Sequence, residues 1–347
     1  MVRFINPVFH EVVEGGAIAD NRTMPLPNDE KIVALANEFI QQFDGMFGLH
    51  PGFRAAHAKG ALLTGTFTPG ARAAGVSRAP HFGRATTSVT VRFSNSTGIP
   101  TIPDNVPNAN PRGMAVRFHL GERVHTDIVS QSTDGFPTKT GQEFLEMLRA
   151  LVASDGMKTS PTPIEQFLGA HPKALAFVQT PKPTPASFAR EAFFAVTALR
   201  FINKDGAARY GRYRIVPEAG VEHLDDAAAA RLGENFLFDE LVERVGKGVI
   251  AFRVTVQLAE EGDVVDDSTV HWPESREVVE LGKIELTGTV TGDAEEQRHT
   301  IFDPIPRVDG IEASDDPLLE LRAAVYLISG RRRRAAGSAQ SAKIGTA

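Results

Sequence analysis

Apolar positions along the chain follow two spacings. Over residues 28–44 they recur at helical spacing, with Ile32, Leu35, Phe39, Ile40 and Phe43 on one face and Asn28 or Asp29 placed to cap the start; this predicts an amphipathic helix packed on the body. From about 60 to 130 the period drops to two. The runs 61–68, 87–94, 114–120 and 124–129, separated by Gly, Pro and Asn clusters, predict strands of an antiparallel sheet, with a polar, Pro-rich loop over 99–112. Helical spacing returns over 142–153 through Phe144, Leu145, Leu148 and Leu151, and Pro-rich segments open two further helical stretches at 163–179 and 184–195. Strands follow at 196–203 and 208–216, joined by Lys204-Asp205-Gly206 as a hairpin turn. A helix over 224–246, strands at 249–258 and 276–289 and a helix over 316–329 complete the pattern. The small, polar tail 335–347 predicts disorder.

Two runs of strands with one apolar face each, and helices inserted between them, predict an α+β protein built on a large antiparallel sheet or barrel. No repeat or linker divides it, so residues 1–334 read as a single domain. Barrels commonly hold a ligand, yet the pattern alone stops at an α+β domain. Composition then removes several classes. With no Cys there is no disulfide framework, zinc finger, iron–sulfur cluster, thiolate-bound haem or Cys nucleophile, so a metal must rest on His, Tyr or carboxylates. A net charge of −6 argues against general nucleic-acid binding. No stretch approaches the roughly 18 apolar residues of a membrane span, and the N-terminus lacks the apolar core of a secretory signal, so a cytoplasmic location is expected.

Three clusters carry candidate chemistry. Phe53-Arg-Ala-Ala-His57-Ala-Lys-Gly60 sits just before a strand; a His beside Gly is more often structural than catalytic. In Ser88-Val-Thr-Val-Arg92-Phe-Ser94 the period of two puts Val89, Val91 and Phe93 on one face and Arg92 and Ser94 on the other, ordinarily the solvated face of a strand. Arg322-Ala-Ala-Val-Tyr326 brings a guanidinium beside a phenol at i, i+4, followed by Arg331–Arg334, ordinarily a solvated helix end. His119, His125 and His271 lack partner spacing for a metal and read as surface or hydrogen-bonded residues.

In this order the clusters resemble the haem catalases, most closely the short catalase-related peroxidases, over about 48–334. The likeness extends through Gly65-Thr-Phe67, Asn110-Pro-Arg-Gly-Met-Ala-Val-Arg-Phe118, Asp127-Ile-Val129, Phe236-Leu-Phe-Asp-Glu-Leu241, Val254-Thr-Val-Gln-Leu258, His271-Trp-Pro273 and Asp309-Gly-Ile-Glu312. It implies a catalase-like fold, an eight-stranded antiparallel β-barrel with inserted and flanking helices, holding haem b through a proximal tyrosine, here Tyr326 with Arg322 one turn earlier. It further implies His57 as the distal acid–base residue, Ser94 as its hydrogen-bond partner, and Arg54, Arg92 and Arg333 as partners of the haem propionates. Phe144, or alternatively Phe136, would stack on the porphyrin. Where the family carries a distal Asn, this chain has Gln131, a carboxamide on an arm one methylene longer. Ala56 and Asn95-Ser96 stand where large catalases have valines, which implies a less constricted approach, and the C-terminal extension of full catalases is not found after Tyr326.

The implied activity is peroxidatic: reduction of hydrogen peroxide or small organic hydroperoxides by an external small reductant, with weak oxygen release. The alternatives are a true catalase, a fatty-acid hydroperoxide isomerase of the allene-oxide-synthase type, and a non-catalytic haem carrier. Relatives commonly form homodimers or homotetramers, which the resemblance extends to this chain as an expectation.

Overall fold

Eight strands close into an antiparallel barrel in the computed structural model, which describes residues 26–344. The strands are β1 (Gly60–Pro69), β2 (Thr87–Ser94), β3 (Gly113–Gly121), β4 (Val124–Gln131), β5 (Phe193–Phe194), β6 (Leu199–Ile202), β7 (Ala208–Pro217), β8 (Ile250–Leu258), β9 (Val278–Thr289) and β10 (Ile311–Ala313). The ring runs β1–β2–β3–β4–β5–β7–β8–β9 and returns to β1. Strands β6 and β10 extend it sideways, with β6 and β7 forming the predicted hairpin. Asn203 Oδ1 accepts from the amides of Asp205 and Ala207, and Gly206 takes φ +83°, the left-handed conformation this turn needs.

Period-two alternation fills the barrel from within. Val89, Val91 and Phe93 are buried, and Phe93 meets Phe188, Phe193 and Phe252 at centroid distances of 5.2, 5.9 and 5.9 Å. The interior is therefore packed solid, as in other small barrels. The opposite face of β2 is solvated at Ser88 but not at its C-terminal end, contrary to the ordinary reading of such a strand: Arg92 and Ser94 are each 4% exposed. Three helices roof that face, α1 (Glu30–Phe47), α2 (Gly141–Ser154) and the C-terminal helix described below, joined by a second small core of Ala36, Phe39, Leu145, Leu148, Leu321 and Ala324.

Local chemistry sets the helix ends. Asp29 caps α1 by accepting from the Lys31 amide at 2.8 Å, and Thr140 and Glu143 form a reciprocal capping box at α2. The predicted helix 163–179 divides into α3 (Pro163–Ala170) and α4 (Pro172–Gln179), because Pro172 has no amide proton to continue the ladder. The segment 184–195, predicted helical, instead gives a two-residue strand at Thr184–Pro185, a 3₁₀ turn and β5. Its backbone is recruited to close the ring between β4 and β7, a demand that helical periodicity does not register. The predicted helix 224–246 breaks into a turn at Asp226–Ala229 and α5 (Phe236–Lys247); between them the Glu234 carbonyl accepts from the Asp104 amide and Lys59 Nζ. A short helix absent from the sequence reading, α6 (Asp293–His299), precedes α7 (Leu318–Ile344). Helix α7 continues through 335–344, where disorder was predicted; residues 345–347 lie outside the described residues. Among the described residues, no helix is long and apolar enough to cross a membrane.

Candidate active site

Between the outer face of β1–β4 and helices α1, α2 and α7 lies a cavity of about 1080 Å³, large beside the ~300–1,000 Å³ common for small-molecule sites. All ten residues singled out from the sequence line it: Arg54, His57, Arg92, Ser94, Gln131, Phe136, Phe144, Arg322, Tyr326 and Arg333. None lines it by sequence proximity alone, since they come from the segment before β1, from β2, from β4 and its following loop, and from α2 and α7.

His57 sits at φ +56°, a left-handed conformation that costs a non-glycine residue on the order of 1–3 kcal/mol. It is held there from both sides, its amide donating to the Ser96 carbonyl (3.0 Å) and its carbonyl accepting from Arg92 Nη2 (2.9 Å). On the ring, Nδ1 lies 3.1 Å from Ser94 Oγ. Burial, and then the nearby charges of Arg92, Arg54 and Arg322, push the imidazole down to about 4. It is thus neutral at neutral pH and free to accept a proton.

The ring also depends on an atom that is missing. Gly113, opposite Ser94 in the β2–β3 register, would with a Cβ stand 2.6 Å from Ser94 Oγ and 3.0 Å from His57 Nδ1. The sequence motif contained this glycine without giving it a role. Behind it, buried Arg112 donates to Asn95 Oδ1 (2.5 Å) and the Asp104 carbonyl (2.6 Å), while Asp104 accepts from Asn95 Nδ2 and Lys59 Nζ, both at 2.8 Å. This network ties together the three segments that carry His57, Ser94 and Gly113, and nothing in residue spacing predicts it.

Arg54, Arg92 and Arg333 converge with no carboxylate in ion-pair contact. Among the described residues none of the three forms an ion pair; their donors go to carbonyls, to Gln297 and to Ser329. Burial foremost, and then mutual repulsion, lowers Arg54 well below its usual range; burial and Arg333 lower Arg92 to about 9, and burial and Arg334 lower Arg333 to about 10. Asp293 offsets part of this for Arg54 and Arg92, and the cluster remains suited to an anionic ligand. Of the arginine run read as a solvated helix end, Arg333 is therefore buried, and Arg332 pairs with Asp44 at 2.8 Å.

On α7 the i, i+4 pair is formed as spaced, with Arg322 Nη2 3.4 Å from Tyr326 Oη. Phe136 and Phe144 lie together at 4.8 Å between centroids, so both stacking candidates face the same space. Gln131 lines it too, with Nε2 donating to the Gly135 carbonyl at 3.0 Å. His119, His125 and His271 lie elsewhere, hydrogen-bonded to Thr90, near Asp127, and against the Asp134 carbonyl respectively. No cluster of His and carboxylates able to hold a metal ion occurs among the described residues.

Compared with known proteins, residues 51–342 match the catalase family. The chain belongs to that family. It is 36% identical to the catalase-related peroxidase of Mycolicibacterium paratuberculosis, over 86% of this chain and 94% of the relative. It is 30% identical to the catalase-related peroxidase of Synechococcus elongatus, over 86% of this chain and 88% of the relative. Among solved structures, catalase A from Saccharomyces cerevisiae superposes with a TM-score of 0.72 at 22% identity, covering 95% of this chain and 68% of that one. A fungal catalase gives the same TM-score and identity, with 66% of its length covered. These two likenesses establish the fold, and the chain spans about two thirds of the length of those catalases. Catalase-family proteins bind haem and act on peroxide, which makes this protein an oxidoreductase acting on peroxide.

Proposed function

We propose that the protein is a haem b-dependent peroxidase that reduces hydrogen peroxide or small organic hydroperoxides with an external electron donor and releases little oxygen. The observation that carries this reading is the convergence on one cavity of the His57–Ser94 pair, the Arg322–Tyr326 pair and three arginines that form no ion pair among the described residues. Those residues fit a flat dianionic macrocycle: cations for two propionates, aromatic faces in Phe136 and Phe144, and a phenol for the iron. When bound, haem supplies the redox-active iron at which the O–O bond is reduced.

Each residue then has a defined task. Neutral His57 takes the proton from one peroxide oxygen and returns it to the other, so that water or an alcohol leaves in place of hydroxide or alkoxide. Ser94 fixes the direction of the ring, and Gln131 offers a carboxamide to the bound peroxide. Tyr326 would hold the iron through its phenol oxygen, with Arg322 supporting the negative charge. Arg54, Arg92 and Arg333 pair with the propionates. Ala56, which lines the cavity, leaves room for a substituted hydroperoxide, and the two relatives above carry the name catalase-related peroxidase. Family likeness also supports a homodimer or homotetramer.

Oxygen release and oxidation of a phenolic donor, followed side by side with hydrogen peroxide and with an organic hydroperoxide, test this reading. Donor oxidation is expected to dominate; vigorous oxygen evolution with negligible donor oxidation identifies a true catalase instead. His57→Ala should lower peroxidase turnover on the order of 10²–10⁴-fold with haem content retained. Retained turnover, or loss of haem binding in place of turnover, would overturn the role given to His57; haem binding without turnover in the wild type would point to a carrier, and hydroperoxide rearrangement without donor consumption to an isomerase.

A further inference from the structure

Helix α6 and the residue after it touch every member of the arginine cluster. Gln297 Oε1 accepts from Arg92 Nε at 2.8 Å, while its Nε2 donates to the Gly60 carbonyl at 2.9 Å and to Asp293 Oδ2 at 2.7 Å. Asp293 Oδ1 in turn accepts from the Leu62 amide at 2.9 Å, so the pair is pinned to two backbone points of β1. One residue past the helix, the Thr300 carbonyl accepts from both Arg54 Nη2 (3.0 Å) and Arg333 Nη2 (2.8 Å). Arg92 Nη2 is committed to the His57 and Ala58 carbonyls, which leaves Nη1 with no hydrogen bond to a described residue on a side chain that lines the cavity.

We infer that residues 293–300 are the scaffold that aims the three guanidiniums at the carboxylates of the bound cofactor, and that Gln297 is the positioning residue for Arg92. The inference rests on the haem reading above. A carboxamide suits the task in a way a carboxylate does not: it accepts from Nε and so fixes the plane of the guanidinium, but leaves the positive charge uncancelled for the ligand. Asp293, the nearby carboxylate, attracts Arg54 and Arg92 only from a distance; it makes no hydrogen bond to a guanidinium and is occupied by Gln297 and the Leu62 amide. The carbonyls at the C-terminal end of α6 add a complementary partial negative charge beneath Arg333 and Arg334.

The test is a titration of the full-length apoprotein with Fe(III) protoporphyrin IX and, separately, with its dimethyl ester, followed by the absorption of bound haem. Wild type should bind the free acid at least tenfold more tightly than the ester. Gln297→Met, close in length but unable to hold Arg92, should weaken free-acid binding about tenfold and leave ester binding within about twofold, the loss of one charge-assisted hydrogen bond. Gln297→Glu, which keeps an acceptor but adds a competing carboxylate, should show the same selective loss. Equal losses for both ligands, or no loss in either variant, overturn the inference, as does a wild type that binds acid and ester equally. Failure of wild type to bind either form overturns the haem reading itself and this inference with it.

Discussion

The base role proposed for His57 requires a neutral ring when substrate arrives. His57 is kept so by burial and three arginines, which hold it near 4 against an ordinary 6.5. Turnover that depends on His57 should therefore stay level from pH 7 to about pH 5 and fall below about pH 4, as initial rates at constant haem content would show. Its orientation depends on a neighbour with no side chain. Gly113→Ala places a methyl 2.6 Å from Ser94 Oγ, and should lower turnover by about 10- to 100-fold while haem absorbance stays near normal. His57 and Ser94 were legible as residues because their motifs are local in sequence. Gly113 was visible only as a letter in a motif, since its role arises from the Ser94↔Gly113 register across two strands. Gln297 carried no signal at all: a polar residue in an acidic stretch becomes meaningful only when α6 folds back on Arg92.

Elements were legible where one period ran uninterrupted. The strands at 87–94 and 249–258 and the helices α1 and α2 fall within a few residues of their predicted ends, because alternation and capping act over a few residues. The departures at 184–195 and 224–246 share a cause in the neighbours the chain meets. The single helical turn Pro80–Gly83 was also unread, and it carries an unusual burial. His81 is 1% exposed, packed among Phe67, Phe82 and Phe118, with Nδ1 lacking a hydrogen bond. Burial, then Arg84, pushes it down to about 3, while the unfolded chain titrates near 6.5. Between those values the unfolded state holds a proton that the folded state refuses, so stability falls as pH drops below 6.5. Relative to wild type, His81→Leu should therefore gain about 2 kcal/mol between pH 7 and pH 5, measured by urea unfolding at both pH values. A pH-independent difference would show that His81 is not held neutral.

At the scale of the molecule, one wall serves two compartments. The inner face of β1–β4 packs the barrel, while its outer face and three helices enclose the cavity, so a strand residue's function depends on which side of the wall it falls. The same arrangement leaves buried like charges facing one another until a dianion enters. Haem at about 100 times its dissociation constant should stabilise the protein by about 2.7 kcal/mol, seen as a rise in Tm. Tyr326→Phe should reduce haem content or shift its absorption; an unchanged spectrum would remove Tyr326 as the ligand. The strand wall, the helices that cap themselves and the residue types of the candidate site are each encoded in short-range period or in a contiguous motif. Long-range packing alone fills the barrel interior and puts the cavity outside it. Only that packing joins Arg54, Arg92 and Arg333 through Thr300 and Gln297, because those contacts are made across more than thirty and in places more than two hundred residues, where local patterning has no reach.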